Sequence, residues 1–67
     1  MTPGSVFCKN DERGRVKIAR VISVREDECG IPHVHFEVGL RHPSFSYMLD
    51  SRVLALSSFS RQYPNRI

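Results

Sequence analysis

Residues 32–40 alternate with a period of two. Val34, Phe36, Val38 and Leu40 take the even positions, and His33, His35 and Glu37 take the odd ones between them. Alternation of this kind places one set of side chains on each face of a β-strand, with the apolar set against a core. No helical period fits the same stretch, so the rest of the chain must build around a half-buried strand.

The preceding segment is the natural partner. Arg15 to Arg25 contains Val16, Ile18, Val21, Ile22 and Val24, β-branched residues that favour a strand. Between the two lies Glu26-Asp27-Glu28-Cys29-Gly30, an acidic turn ending in glycine. A hairpin centred near Glu28 sets Ile22 opposite Val34, Ile18 opposite Val38 and Val16 opposite Leu40, giving one apolar face. Arg20 is the exception, because this register puts it opposite Phe36. Either a β-bulge lies nearby, as Ala19 and Val21 on the other face also argue, or Arg20 lays its stem on Phe36 and reaches outward.

The remaining turn signals divide the chain into short strands. Val6-Phe7-Cys8 reads as a first strand and Asn10 to Gly14 as a loop. Phe45 to Leu49 reads as a fourth strand after the His42-Pro43-Ser44 break, and Arg52 to Leu56 as a fifth. Leu56, Phe59 and Tyr63 fall at helical spacing, with Ser57 or Ser58 as a cap and Pro64 as a stop. At 67 residues the chain is one domain, spanning 1–67. The expected fold is mostly β: a small five-stranded SH3-like barrel with a short C-terminal helical turn. The alternative is an open antiparallel sheet that covers its exposed edge by forming a homodimer.

No apolar run approaches the ~18 residues of a membrane span. Met1 to Ser5 carry neither a cationic start nor an apolar stretch, which argues against a signal peptide and for a cytoplasmic protein. In that compartment Cys8 and Cys29 are expected as thiols, Cys8 in the core and Cys29 exposed in the turn.

Three kinds of chemistry are weighed on these elements. His33, His35 and Glu37 share one strand face and are candidate metal ligands, but a strand supplies them in a straight line. Cys29 or His42 would have to complete a four-ligand site. The plainer reading is the polar face of a half-buried strand, and no cofactor is expected. Catalysis has no support either: nothing places an acid beside a histidine to orient it, and a domain this small offers little room for a pocket. Nucleic-acid binding has more. The net charge is +3, and eight of the ten basic residues are arginine. Arg13, Arg15 and Lys17 fall on one face at the start of the long strand, Arg25 and Arg41 lie near the ends of the same hairpin, and Tyr47 is a candidate for base stacking beside Phe45. Against this, Phe45 and Tyr47 also fit core positions, and the acidic turn would repel phosphate. The sequence therefore points to a non-catalytic binding module, slightly favoured as nucleic-acid binding, with protein–protein interaction or self-assembly as the alternative partner class.

Overall fold

The hairpin is closed by Asp27. In the computed structural model, which describes residues 1–10, 13–42 and 45–67 and the side chains of all of these but 42 and 45–49, Asp27 Oδ1 accepts hydrogen bonds from the N–H groups of Cys29 (2.8 Å) and Ile31 (2.9 Å). The Asp27 N–H in turn donates to the Ile31 carbonyl (3.0 Å). Gly30 takes a left-handed φ of 78°, which a side chain would strain. The acidic run is thus a turn-building device, with an aspartate supplying local acceptors.

From this turn run β2 (Val16–Glu26) and β3 (Pro32–His42), flanked by β1 (Val6–Asn10) and β4 (Phe45–Ala55). A seven-residue helix α1 (Leu56–Gln62) follows β4 directly, and a two-residue strand β5 (Asn65–Arg66) ends the order. All pairings are antiparallel, in one sheet of order β4-β3-β2-β1-β5.

The sheet does not close into a barrel. The expectation of five strands survives, but they are different strands. The two segments expected as strands four and five are one continuous β4, because the ladder to β3 passes Leu49 by a register shift and resumes at Asp50. The fifth strand comes instead from the tail, where residues 65–66 pair with Cys8 and Phe7. It joins β1 and leaves β4 as the opposite edge, so the two ends of the sheet do not meet.

The hairpin register also differs from the simple expectation, for the reason Arg20 raised. Near the turn, Val24 pairs with Val34 and Arg25 with His33. Beyond a register shift between Val21 and Ser23, Val21 pairs with Phe36, Arg20 with Glu37 and Ala19 with Val38. The extra residue is Ile22. It is left 47% exposed, whereas Val21 and Ala19 are buried. A bulge changes which alternate residues face the helix, so Ala19 and Val21 take the places expected of Ile18 and Ile22 there, while Ile18 stays buried on the other face, opposite Gly39. Arg20 moves to the other face and meets Glu37.

The core lies between the sheet and α1. Phe59, the buried residue of the helix, sits against Phe36 (ring centroids 4.9 Å), Phe7 (5.5 Å) and Tyr63 (5.3 Å). Val34, Val21 and Ala19 complete the buried cluster, with Phe7, Val38, Leu54 and Leu56 packed at its margin. No serine caps the helix. Its N-cap is Ala55, since the chain turns from strand to helix without an intervening loop, and no side chain bonds the first N–H groups. The Tyr63 N–H closes the C-terminus on the Phe59 carbonyl (2.9 Å), and Pro64 cannot continue the helix.

Phe59→Ala should cost about 3–5 kcal/mol. A domain of this length has a total stability of roughly 3–10 kcal/mol. Denaturant melts should therefore find F59A unfolded or close to it. Ile22→Thr, at the site that simple alternation assigns to the core, should change stability by less than about 0.5 kcal/mol.

Candidate functional site

The sheet presents two chemically distinct faces. On the helix side, beyond the row of Val24, Val34 and Leu54, cross-strand neighbours form three more rows. Val21, Phe36 and Arg52 make the first, Phe7, Ala19, Val38 and Asp50 the second, and Lys9, Lys17 and Leu40 the third. The helix covers the apolar part of these rows and stops short of the third. Between the end of α1 and that third row lies an open groove of about 790 Å³. Phe36, Val38 and Leu40 form its floor, Lys9 and Lys17 one wall, Asp50 and Arg52 the other, and Gln62 and Tyr63 the helix end.

Lys9 and Lys17 stand directly opposite each other in the β1–β2 ladder. Like charges at such positions repel and lower stability. Lys9 Nζ lies 4.8 Å from the centroid of the Tyr63 ring, a cation–π contact. Among the described residues neither ammonium is in an ion pair. Across the groove, Arg52 Nε is 3.8 Å from Asp50 Oδ2, with both side chains 62% exposed, so that pair is weak and the guanidinium stays available. Burial pushes the Tyr63 phenol above its usual 10.0, and the charge of Arg52 acts the other way.

The opposite face carries His33, His35 and Glu37, as alternation requires, but each meets a different neighbour. The guanidinium of Arg20 binds Glu37, with Nε 3.2 Å from Oε1. His33 Nδ1 lies 3.0 Å from the Ile31 carbonyl oxygen and 3.8 Å from Asp27 Oδ2. His35 is half-buried, opposite Ser23 and Val53. Among the described residues no group of three or more His, Cys, Asp or Glu side chains is placed to hold a metal ion.

The expected cations are divided rather than gathered. Lys17 enters the groove. Arg13 and Arg15 are exposed ahead of β2, which begins only at Val16, so the three do not form one strand row. Arg25 and Arg41 fall on the face opposite the groove and at opposite ends of the hairpin, across from His33 and Val16 respectively. Tyr47 pairs with Leu40 through the backbone, and its side chain lies outside the described residues, as does that of Phe45. Sequence reasoning missed Lys9 and Arg52. The signal for Lys9 was the alternation Phe7-Cys8-Lys9, readable only once the β1–β2 register is known. Cys8, half-buried, pairs with Ile18, and the exposed Cys29 sits in the turn beyond Glu26, so the thiols are far too distant for a disulfide. Among the described residues no helix is long and apolar enough to cross a membrane.

The Ile31 N–H, followed by the Cys29 N–H and His33, holds the Asp27 carboxyl below its usual 3.8, against some desolvation. A carboxyl depressed in the folded state adds stability that is complete above the unfolded value and is lost as pH falls through the lower native one. Asp27→Ala should therefore lower the melting temperature at neutral pH, and its gap from the wild type should close in acid below 3.8. Asp27→Asn, which keeps the oxygen acceptor, should fall between the two. Thermal melts of the three proteins across that pH range check this.

Comparison with protein-family models, with curated proteins and with solved structures finds no match for this chain.

Proposed function

We propose that the protein is a nucleic-acid-binding module, without catalysis, that takes a single-stranded sugar–phosphate backbone along the groove beside α1. The observation that carries the reading is the Lys9–Lys17 pair. The fold sets two ammonium groups side by side on the wall of an open groove, at a cost to its own stability, with a guanidinium across from them. Such a cost is offset when an anion is bound between the cations. Phosphate contacts of this kind supply affinity without reading sequence. The apolar floor of Val38 and Leu40 gives sugar and base faces a surface to rest on.

The acidic turn does not oppose this arrangement. Glu26, Asp27 and Glu28 lie at the far end of the β2–β3 hairpin, while Lys9 and Lys17 lie near its open end. The charge is polarised along a molecule 41 Å long, so the repulsive end orients a polyanion rather than excluding it.

Fluorescence anisotropy with a labelled single-stranded oligonucleotide tests the reading. Three cations neutralising phosphates, at about 0.7 each for a single strand, give a slope of log K against log salt near −2. Lys17→Glu should weaken binding by at least about tenfold, since an attraction becomes a repulsion. The same change sets a carboxylate opposite Lys9 and should leave the melting temperature unchanged or raised. Binding that is absent at low salt, or unaffected by K17E, would sink the proposal.

A further inference from the structure

The edge of the sheet carries a pattern that the groove does not use. Around Ser51 the sequence is symmetric in character: Tyr47-Met48-Leu49, then Asp50, Ser51 and Arg52, then Val53-Leu54-Ala55. Three apolar residues and an acid precede the serine, and a base and three apolar residues follow it. This segment lies within β4, the edge strand, whose outer side has no neighbouring strand among the described residues.

We propose that β4 pairs antiparallel with β4 of a second copy of this chain, about a two-fold axis at Ser51. In that register Asp50 of each copy faces Arg52 of the other, giving two equivalent ion pairs on one face of the joined sheet. Other centres fail on charge. An axis at Arg52 sets two guanidinium groups against each other, an axis at Asp50 sets two carboxylates together, and an axis at Val53 leaves Arg52 opposite Leu54. A two-fold contact must be self-complementary, and Ser51 is the centre that makes it so.

The backbone agrees. The Ser51 N–H donates to the Asp50 carboxylate (2.8 Å), which occupies the edge donor within the chain. In the dimer the two Ser51 residues exchange N–H···O=C bonds, and each released Asp50 turns to the partner's Arg52. Every polar group that loses a contact gains another. Ser51, Arg52 and Val53 are exposed, Val53 at 52%, so the edge is accessible. Asp50 and Arg52 also line the groove, so the pairing sets two grooves edge to edge across the axis. The inference does not depend on nucleic-acid binding, and its test contains none.

Sedimentation velocity over a dilution series should find a reversible dimer of the wild-type chain. Arg52→Asp places like charges opposite each other twice and should weaken dimerisation at least about tenfold. Asp50→Arg should do the same. The double exchange D50R/R52D restores opposite charges in the same register and should recover the wild-type constant within a few-fold. Circular dichroism of each variant establishes that it is folded, as expected for exposed positions. A wild-type chain that stays monomeric at every concentration overturns the proposal. So does an R52D that dimerises as well as the wild type. A weakened R52D whose double exchange stays equally weak assigns the effect to something other than this pairing and overturns it too.

Discussion

The fold depends on one aromatic contact. Seven helical residues provide all the cover that α1 gives the sheet, and of these Phe59 is the one fully buried. Its ring meets Phe7 of β1 edge-on, Phe36 of β3 edge-on and Tyr63 in a stacked arrangement. It therefore ties together the first strand, the middle of the sheet and the chain that returns to form β5. Edge-to-face pairs add modestly to area burial, roughly 0.5–1.5 kcal/mol each. In a domain whose whole stability is several kcal/mol, that increment decides whether the sheet has a core at all.

So small a lid leaves much of the sheet uncovered, and the exposed features follow from that. The strands of β2, β3 and β4 are eleven residues long, and at about 3.3 Å per residue they set the 41 Å length of the molecule. The helix reaches only part of the way. Beyond it the inward-facing positions still alternate, but with no lid they carry Lys9 and Lys17 beside Leu40 instead of a further apolar layer. The groove is the unroofed continuation of the core, and for that reason it has an apolar floor and charged walls.

What the sequence made legible was whatever alternation or turn chemistry determines locally. The Pro32–Leu40 strand, its long partner, the acidic turn and a helical segment ending at Pro64 all appear where the residues put them. What stayed hidden was set by pairing across the sheet. Ile22 and Val21 are equally apolar and adjacent, and nothing local says which of them faces the core. The mismatch of Arg20 with Phe36, with Ala19 and Val21 apolar on the other face, signalled a bulge, and it left a second explanation open. The second register shift, at Leu49, had no such marker, so Asp50 and Ser51 read as a break between two strands where one in fact continues. The candidate site suffered in the same way. Arg13, Arg15 and Lys17 are neighbours in sequence, but the groove draws its cations from three different strands, and only Lys17 belongs to both sets.

The two register shifts also explain how one sheet supports both a groove and a free edge. Each adds a residue to a strand bordering β3, one in β2 at Ile22 and one in β4 at Leu49. Bulges bend a strand and sharpen its twist, and twist of this kind usually protects an edge from pairing. In β4 the shift falls before Asp50, so the residues from Asp50 to Ala55 keep an unbroken ladder with β3. The edge is thus interrupted on one side and regular on the other. A chain adding to it at an arbitrary register meets the irregularity or the lone charges. A second copy centred on Ser51 meets the charges with their complements, so the charge pattern that discourages indiscriminate strand addition favours one partner.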